Sequence, residues 1–462
     1  INGMIYIRGN AMDYEKWAAD DGMQNWDYAH NLPYFKRAET RLIGADEYHG
    51  FTGPLALETG PCQNPLFQAF FKAAQQAGYP MTSDVNGYQQ EGIGPFDRNI
   101  NRGRRLSAAR AYLHPVKRRP NLDVVCRALT TRILFNGKKA VGLEFAKGKS
   151  LQRVYGGEII CCSGAINSPQ LLQLSGVGNG KELASLGIDV VCDLPGVGEN
   201  MQDHLEDYVQ YACKKPVSEY PALLWYNKPW VGFQWLFQRK GAAATNHFEA
   251  GGFIRTNDTV AYPNIQFHFL PVAIRYDGSS PQQGHGYQVH VGPVNSDAMG
   301  TVKIVSTNPR DYPALRFNYL STEKDRREWV EAIRCTRDIM NQPAFEAFNG
   351  GELSPGPQVE SDQEIIDWVA ADGETALHPS CTCKMGKDPM AVVDPDSMKV
   401  HGLENLRIVD ASVMPYVTNG NIYAPVMMIA EKAADIILGN TLLPPSSAAW
   451  YRHQPVLSLI HI

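Results

Sequence analysis

The stretch Leu377–Gly386, LHPSCTCKMG, brings a histidine, a proline and a Cys-x-Cys pair close together. Three kinds of chemistry fit these residue types: a metal site, a redox-active thiol pair, or a turn that presents one catalytic histidine. Imidazole and thiolate are both zinc ligands, but a structural zinc normally has four ligands at recognisable spacing. The sequence has no second Cys/His pair close to Cys381 and Cys383. We therefore predict no metal at this stretch, and we expect both cysteines to be buried, inert thiols.

His378 is then the group in this stretch that can perform acid–base chemistry. Histidine has an ordinary pKa close to neutrality, so it can accept and return a proton at physiological pH. Pro379 stiffens the turn that carries it. A lone histidine is more often a satisfied core or surface residue, and on these residues alone both interpretations stay open.

Length and composition indicate a large globular chain. Its 462 residues exceed what one hydrophobic core usually holds, which predicts two to three domains. The content of 44% hydrophobic and 20% charged residues is typical of a soluble enzyme or binding protein. The net charge of -5 argues against a nucleic-acid partner, which usually requires a basic excess.

Cysteine usage and hydropathy bear on the compartment. Nine cysteines without CxxC pairs favour a reduced, cytoplasmic protein. No apolar run approaches the ~20 residues of a membrane-spanning helix, so membrane contact would be peripheral, at the inner face of the cell membrane.

Both ends of the chain are unusual. The chain begins at Ile1, inside a motif, which predicts that the natural N-terminus is missing. A Pro/Ser-rich stretch near the other end predicts a disordered tail at 443–462. The last six residues, Leu457–Ile462, are apolar, and we interpret them as an artefact, with a genuine apolar anchor as the alternative.

The hydrophobic pattern predicts a strand followed by a helix before the middle of the chain. Residues 158–162 form a short apolar run that is typical of a buried strand. Gly164 predicts a tight turn, and Ser168 followed by Pro169 predicts a helix N-cap with proline in the first turn. The helix is expected to stop at Gly176. Such a unit leaves a helix N-terminus free to receive a phosphate group or a flavin edge.

The remaining segments alternate between two architectures. Residues 121–145 predict an antiparallel meander with an Asn-Gly turn. From 206 to 371 the sequence shows β-like alternation and one clear helix at 322–341, which indicates a mixed α/β or antiparallel domain. A buried strand near 405–415 and an amphipathic helix at 425–438 then return to the first pattern. We therefore predict that the second architecture is inserted into the first.

Four ordered segments carry a resemblance to one protein family. Ser163–Gly178, SGAINSPQLLQLSGVG, resembles a signature of the glucose-methanol-choline (GMC) oxidoreductases. INGMIYIRGN at the start resembles the tail of that family's other signature, and HPSCTCKMG and LRIVDASVMPYVTNGNIYAPVMMIAEKAAD match it further along the chain. Within the family, NMQDHLEDYVQY and NHFEAGGFIR are similar to the choline-oxidising bacterial dehydrogenases of the glycine betaine pathway.

The resemblance implies an α/β fold, with α+β character in the second domain. A discontinuous, Rossmann-like FAD-binding domain would comprise 1–30, 100–204 and 372–442. An inserted antiparallel-sheet domain at 205–371 would bind the substrate, and 31–99 would form a lid or extension of the FAD-binding domain. The family's fold opens with a βαβ unit that carries G-x-G-x-x-G, which this sequence lacks. The chain is therefore interpreted as an N-terminally truncated fragment, and whether it holds FAD by itself is left open.

The implied activity is the FAD-dependent oxidation of choline to betaine aldehyde, with further oxidation to glycine betaine as an extension. Hydride passes from the carbinol carbon to flavin N5, and a histidine takes the hydroxyl proton. The electron acceptor is either the respiratory chain or oxygen, and the oligomeric state is left open. One alternative is another alcohol dehydrogenase or oxidase of the family with a different substrate, and another is a catalytically incompetent fragment.

The catalytic residues follow from the match to the family. His378 matches the catalytic histidine, and His204 matches a nearby active-site histidine. Asn421 matches the family's partner of the catalytic histidine. A carboxamide in this position can hydrogen-bond the substrate hydroxyl without titrating. Asn419 is the competing candidate for that role. Tyr423 departs from the pattern, since many choline-oxidising members have a second asparagine there.

Substrate binding is assigned to one carboxylate and two aromatic rings. A quaternary ammonium cannot donate hydrogen bonds, so a nearby carboxylate and aromatic faces are what can hold it. Glu206 matches the position of that carboxylate, with a solvated surface carboxylate as the alternative. Trp225 and Tyr226 are candidate cage walls, with core packing as the alternative.

Cofactor contacts also follow from the match. The implied flavin-binding residues are Asn2 and Met4 at the isoalloxazine, Val125 at the adenine, and Ala165, Asp410 and Ala411 along the ribityl-pyrophosphate stretch. Asp410 ends an apolar run, where a buried strand presents its carboxyl end to a ligand. A capping aspartate is the alternative for this residue.

Overall fold

The structure is a computed structural model that describes residues 3–275, 278 and 284–454. Its buried apolar side chains form two large cores and one small cluster. The first core joins the beginning of the chain to segments after 130 and after 380. The second core lies between a large antiparallel sheet and the helices that cover one of its faces.

The helices and strands are distributed along the whole chain. The α-helices are α1 (Ala11–Ala19), α2 (Tyr28–Ala38), α3 (Pro65–Gln76), α4 (His114–Val116), α5 (Gly164–Leu174), α6 (Gly180–Ser185), α7 (Lys228–Phe233), α8 (Glu323–Met340), α9 (Asp362–Asp372) and α10 (Tyr423–Leu438). The strands up to the middle of the chain are β1 (Glu39–Arg41), β2 (Leu55–Thr59), β3 (Gly92–Pro95), β4 (Asp97–Arg98), β5 (Ile100–Asn101), β6 (Arg104–Arg105), β7 (Leu129–Asn136), β8 (Lys139–Lys147), β9 (Ser150–Tyr155), β10 (Ile159–Cys161), β11 (Val177–Gly178), β12 (Cys192–Asp193) and β13 (Leu205–Cys213). The later strands are β14 (Ala250–Ile254), β15 (Ile265–Leu270), β16 (Gly286–Pro293), β17 (Thr301–Lys303), β18 (Ala314–Arg316), β19 (Asn349–Ser354), β20 (Glu374–Thr375) and β21 (Leu406–Ile408).

The large sheet has one apolar face and one polar face. Its strand order is β19-β13-β16-β15-β14-β3, and β20 pairs with β13 at one end. Successive side chains of a strand point to opposite faces. The face that includes Phe267 and Val289 packs against α3 and α8 in the second core. The other face carries Tyr208, His268 and His290, which the register places side by side on β13, β15 and β16. The active-site candidates meet this polar face.

The first core contains a parallel strand pair with a helix at its end. β10 and β21 pair in parallel, with Cys161 opposite Ile408. α5 begins directly after β10, and β7, β8 and β9 form an antiparallel meander beside it. Together with the inserted antiparallel sheet, this arrangement confirms the predicted α/β fold with an α+β second part. The predicted glycine stop after α5 is also observed, because Gly176 has a φ of 84°.

Two local predictions in this region are wrong. α5 begins at Gly164, not after Ser168, because the Ser168 hydroxyl accepts a hydrogen bond from the Ser163 N–H (3.1 Å) and donates to Asp410 (2.5 Å). Residues 121–127 form no strand, and the meander instead uses β7, β8 and β9. No described strand pairs with this segment, and its apolar side chains are not buried: the side chain of Val125 is 55% exposed.

The segment predicted as an extension at 31–99 is divided between the cores. α2 packs in the first core, against α10. α3 packs in the second core, and β3 joins the large sheet as an edge strand. The second core therefore draws on more of the chain than the predicted substrate-binding domain at 205–371.

The predicted disordered tail is ordered over 443–454. This segment is extended and lies along the first core, where the Ser446 N–H donates to the Ala29 carbonyl oxygen (2.8 Å). The residues of the tail that pack on the core are Leu443, Ala448 and Trp450. The composition of the tail predicted disorder, but its apolar side chains find partners in this core. Residues 455–462, including Leu457–Ile462, lie outside the described residues.

Candidate active site

His378 is buried and held through its backbone. It follows β20, and its N–H donates to Asp203 Oδ1 (2.9 Å). Asp203 Oδ2 accepts hydrogen bonds from the Tyr319 hydroxyl (2.5 Å) and the Thr375 hydroxyl (2.5 Å). Asp203 therefore connects the start of β13, the loop before α8 and β20 at the base of the histidine.

A chain of hydrogen bonds sets which nitrogen of His378 carries its proton. His204 Nε2 lies 3.2 Å from the Val294 carbonyl oxygen, which can only accept. A neutral His204 must donate from Nε2, so its Nδ1 is an acceptor. His378 Nδ1 lies 3.0 Å from that Nδ1 and must be the donor. His378 Nε2 is consequently unprotonated and basic.

Asn421 completes this chain on the other side of His378. Its Nδ2 lies 3.0 Å from His378 Nε2, and an amide N–H is the donor that an unprotonated imidazole nitrogen requires. Its Oδ1 accepts from Gln266 Nε2 (3.1 Å) and lies 3.2 Å from His268 Nε2. The competing Asn419 donates instead to the Pro263 carbonyl oxygen (2.6 Å). The structure thus brings Asn421, not Asn419, to the histidine.

Burial keeps these histidines neutral. It lowers the pKa of His378 well below its ordinary value, and the neighbouring His204 lowers it further. Burial likewise lowers the pKa of His204 to about 4 and that of His268 to about 4. At neutral pH these three histidines are therefore uncharged proton acceptors and donors.

Glu206 is the carboxylate of this cluster. It is buried on the polar face of β13, and its Oε1 lies 3.4 Å from His290 Nδ1. Its negative charge raises the pKa of His204, His268 and His378, whereas burial lowers it. Glu206 is therefore close enough to interact electrostatically with all three histidines. The surface alternative for Glu206 is therefore wrong, and its position is that of a charge inside the site.

The sequence did not identify the neighbours that orient His290. Gln288 donates from Nε2 to His290 Nε2 (2.7 Å), and Gln288 Oε1 accepts from the Ile274 N–H (2.8 Å) and from Gln210 Nε2 (2.7 Å). His290 must then carry its proton on Nδ1, toward Glu206. The available signal was the alternation of polar residues within the apolar runs IQFHFL and YQVHV, which indicates a buried polar face.

An apolar cavity of about 330 Å³ ends at this face. Such a volume lies within the range of ordinary ligand pockets. His290, Gln288 and Phe248 are among its lining residues, with apolar side chains such as Leu223 and Val231 on the other side. The Phe248 ring centroid is 5.2 Å from that of His290. The cavity therefore leads from aliphatic walls to the polar cluster.

Trp225 and Tyr226 do not line this cavity. Their side chains are 79% and 58% exposed, and the ring contact of each is with the other. This placement does not support the predicted cage walls or the alternative of core packing. Tyr208, Phe248 and Phe96 are aromatic rings that contact the histidines of the polar face, and the Tyr208 centroid lies 4.2 Å from that of His290.

Three of the predicted cofactor residues lie together. Ala165 lies in the first turn of α5, after β10, and Asp410 and Ala411 follow β21, so all three lie at the carboxyl ends of the parallel strands. Asp410 acts as a cap: Oδ2 accepts from the Gly164 N–H (2.9 Å), and Oδ1 accepts from the Ser412 N–H (2.8 Å). The capping alternative therefore accounts for its carboxylate, and its contact with a cofactor stays a prediction.

The other cofactor residues are more dispersed. Met4 lies near the start of the described chain with a φ of 65°, and it lines a cavity with Ile100 and Arg105. Val125 is half exposed in a loop. Asn2 lies outside the described residues.

The cysteines after His378 tie its loop to the cofactor segments. The Cys381 N–H donates to the Ala411 carbonyl oxygen (3.1 Å), and the Cys383 N–H donates to the Ser412 carbonyl oxygen (2.8 Å). Both thiols are fully buried, and burial raises the pKa of Cys381 to about 12. Neither thiol is therefore a ready nucleophile or thiolate ligand.

Comparison with protein families gives two matches to models described as GMC oxidoreductase, over residues 1–206 and 296–430. An oxygen-dependent choline dehydrogenase of Staphylococcus xylosus is 59% identical over 457 residues, which covers 98% of this chain and 82% of that protein.

Solved structures show the same fold. Pyridoxine 4-oxidase from Mesorbium loti superposes with a TM-score of 0.83 at 30% identity, covering 95% of this chain and 82% of that one. Formate oxidase of Aspergillus oryzae superposes with a TM-score of 0.88 at 24% identity and the same coverage, which supports the fold alone. No helix within the described part of the chain is long and apolar enough to cross a bilayer.

Proposed function

This chain belongs to the GMC oxidoreductase family, and on that premise we propose that it catalyses the FAD-dependent oxidation of choline to betaine aldehyde. The observation that carries the proposal is the buried cluster itself. It combines an unprotonated acceptor nitrogen, His378 Nε2, with a buried carboxylate, Glu206, and this carboxylate lies beside His290, which lines the apolar cavity.

The residues at the parallel strand ends fit a flavin cofactor. Gly164 has a φ of 85°, and no atom lies within 4 Å of the position that a Cβ would take, so another group can approach this backbone closely. The Tyr423 hydroxyl and Asn419 Oδ1 are buried and have no hydrogen-bond partner among the described residues. In this proposal Ala165 and Ala411 line the same cofactor site. When bound, FAD supplies the acceptor for the hydride that leaves the carbinol carbon.

His378 is proposed to take the hydroxyl proton of the alcohol. Its Nε2 is unprotonated in the hydrogen-bond chain, and a base within reach lowers the barrier to oxidation because the carbonyl product then forms without a proton. Asn421 donates an amide N–H to the same nitrogen, so it can shift its hydrogen bond to the oxygen of the substrate as negative charge develops there. His204 keeps the opposite nitrogen of His378 protonated throughout.

Glu206 is proposed to hold the quaternary ammonium of choline. The trimethylammonium group offers no N–H, so attraction to a buried carboxylate and to aromatic faces is what binds it. Tyr208 and Phe248 are aromatic rings that contact His290 next to Glu206. Gln288 lies 2.7 Å from His290 Nε2, and His290 Nδ1 lies 3.4 Å from Glu206 Oε1, so the imidazole is held beside the carboxylate.

Oxygen is the proposed electron acceptor, on the basis of the names of the relatives. A carrier of the respiratory chain is the second candidate. Steady oxygen consumption by the FAD-loaded protein with choline alone would support oxygen. Turnover that requires an added quinone or dye would favour the carrier.

The substrate can be tested with the FAD-loaded 462-residue protein. Choline, its neutral isostere 3,3-dimethylbutan-1-ol, and benzyl alcohol are each mixed with the protein without oxygen, and the flavin absorbance is followed. We expect choline to bleach the flavin at concentrations where the other two alcohols do not. Equal or faster bleaching by the neutral alcohols would instead favour another alcohol oxidoreductase of the same family.

A further inference from the structure

The apolar cavity carries one charged side chain of each sign in its wall. Arg275 and Glu219 both line it, together with the ring of Phe248 and aliphatic side chains such as Leu270 and Val272. The side chains of Arg275 and Glu219 are 21% and 25% exposed. A guanidinium is an unexpected neighbour for a trimethylammonium group, because like charges repel each other strongly in an apolar cavity. Choline alone therefore does not account for this wall.

Arg275 is held so that one edge of its guanidinium group stays available. It follows β15, and its Nη2 pairs with Asp372 at the end of α9. The guanidinium carbon lies 5.5 Å from the centroid of the Tyr208 ring. Within the described part of the chain, Nε and Nη1 of Arg275 have no hydrogen-bond acceptor. Since an arginine presents its donors as a planar fork, the remaining edge can bind a carboxylate.

Glu219 is fixed through its backbone, and one of its carboxylate oxygens stays available. Its N–H donates to the Pro271 carbonyl oxygen (2.8 Å), directly after the end of β15. Its Oε2 lies against His247 Nδ1, and its Oε1 has no hydrogen-bond donor among the described residues. A neutral imidazole can donate to Oε2 without removing the charge of the carboxylate. The wall of the cavity therefore offers a negative charge to a ligand.

The two charges and the apolar walls restrict the ligand that fits. A cation is attracted by Glu219 but repelled by Arg275, and an anion meets the reverse, so a molecule with both charges suits the pair best. The remaining walls are apolar, and the N–H donors of a primary ammonium would lack acceptors there, whereas N-methyl groups need none. The cavity of about 330 Å³ has room for roughly ten waters, which is ample for a small molecule of this kind.

We propose that the cavity binds a small zwitterion in which a quaternary ammonium is joined to a carboxylate, with the ammonium beside Glu219 and the carboxylate on Arg275. Glycine betaine, the product of complete choline oxidation, belongs to this class, and its choice as the ligand rests on the proposed function. Because the cavity ends at His290, a zwitterion held there hinders the approach of choline to Glu206. The site would thus make the enzyme sensitive to accumulated product.

Calorimetric titration of the FAD-loaded 462-residue protein, without choline, tests the site independently of turnover. The probes are glycine betaine, tetramethylammonium, acetate and glycine. We expect glycine betaine to bind most tightly of the four, and its affinity to fall as the salt concentration rises. Glu219→Gln should weaken the binding of glycine betaine and of tetramethylammonium about tenfold. Arg275→Gln should weaken glycine betaine about tenfold and leave tetramethylammonium bound as tightly or more tightly.

Matched variants keep the test specific. Arg275→Lys retains the positive charge and should keep part of the affinity for glycine betaine. Arg153→Gln and Glu182→Gln remove the same kinds of charge from ion pairs outside the cavity and should bind like the unaltered protein. Glu206→Gln should affect glycine betaine much less than Glu219→Gln does. The same binding pattern in a protein whose flavin choline does not bleach would support the site and contradict only the proposed substrate.

Three outcomes would overturn the proposal. The first is that the unaltered protein binds glycine betaine no better than it binds tetramethylammonium or acetate. The second is an equal loss of glycine betaine and tetramethylammonium in Arg275→Gln when its circular dichroism matches that of the unaltered protein, which would reduce the arginine to a structural partner of Asp372. The third is loss of glycine betaine binding in Glu206→Gln but not in Glu219→Gln, which would place the zwitterion in the proposed choline site.

Discussion

The Nδ1 atoms of His204 and His378 lie 3.0 Å apart, so one proton is shared between two facing nitrogens. The Val294 carbonyl oxygen next to His204 Nε2 determines that the proton belongs to His378. This relationship leaves His378 Nε2 as the basic nitrogen beside Asn421. The tautomer of the proposed catalytic base is thus set by a backbone oxygen two hydrogen bonds away.

Substitution of His204 should therefore impair the base without removing it. In His204→Phe the Nδ1–H of His378 loses its acceptor, and the ring can adopt the tautomer with a protonated Nε2. We expect kcat for choline to fall about 10- to 100-fold, less than the loss expected when a general base itself is removed. Rapid-mixing measurements of flavin reduction over a range of pH would give this rate.

The matched control is His204→Gln, whose side-chain oxygen can still accept from His378 Nδ1. This variant should recover most of the rate. If Gln and Phe at this position were equally slow, or if Phe kept the full rate, the role assigned to His204 would be wrong.

Glu206 should strengthen the binding of a positively charged substrate but not that of an uncharged one. In Glu206→Gln the positive group of choline loses its buried counter-charge, and we expect KM to rise about 100-fold, which corresponds to about 3 kcal/mol. The kinetics with 3,3-dimethylbutan-1-ol, which has the same shape without the charge, should change little. Glu206→Asp, with its charge retained on a shorter side chain, should give an intermediate KM. An equal effect of Glu206→Gln on both alcohols would contradict the assignment.

Asp203 should act as a positioning residue. In Asp203→Asn the amide group cannot accept from both the Tyr319 and Thr375 hydroxyls while it holds the His378 N–H. We expect kcat to fall about tenfold with a smaller change in KM, and a loss of about 1–3 kcal/mol in the free energy of unfolding. Thr375→Val removes one of these donors and should cost less in both measurements. A wild-type kcat in Asp203→Asn would show that the backbone position of His378 does not depend on this carboxylate.

Acidification should destabilise the fold through its buried histidines. The pKa of His268 is lowered from 6.5 to about 4 by burial, so between these values the unfolded chain binds a proton that the folded chain does not. Stability contributed by this group is complete above pH 6.5 and is lost as the pH falls toward 4, by about 3 kcal/mol at most. Burial raises the pKa of Asp13 to about 7, so the stability that Asp13 contributes increases as the pH falls. Because this effect opposes that of His268, the two must be separated by comparing variants.

That comparison uses His268→Asn, which cannot titrate but can still donate to Asn421. Urea unfolding across this pH range should show a shallower loss of stability in His268→Asn than in the unaltered protein. Parallel curves for the two proteins would mean that His268 is not kept neutral in the folded state.

The residues of the proposed catalytic centre could be chosen from the sequence because they lie in recognisable motifs. His378, Asn421, His204 and Glu206 come from distant parts of the chain, and the structure brings them into one cluster. The capped βα unit was predicted in outline, but its helix begins earlier than expected. The hydroxyl of Ser168 joins Asp410 across the sheet, a partner that local sequence cannot reveal.

The supporting residues could not be predicted in the same way. His268 and His290 lie in apolar strands that are far apart in the sequence. The register between β15 and β16 places them opposite each other on one face of the sheet, and the sequence does not specify that register. Trp225 and Tyr226 were chosen by residue type, but the loop that carries them directs both side chains to solvent. An aromatic residue close in sequence to the site is therefore a weaker indication than a polar residue within a buried strand.

His378 is proposed to be the base for choline oxidation. The most direct test is the rate of flavin reduction by saturating choline in His378→Ala, measured without oxygen in a single turnover. We predict a rate about 10²- to 10⁴-fold below that of the unaltered protein, with the same flavin content and partial recovery on addition of imidazole. A His378→Ala protein that binds flavin normally and is reduced by choline at the unaltered rate would contradict the account.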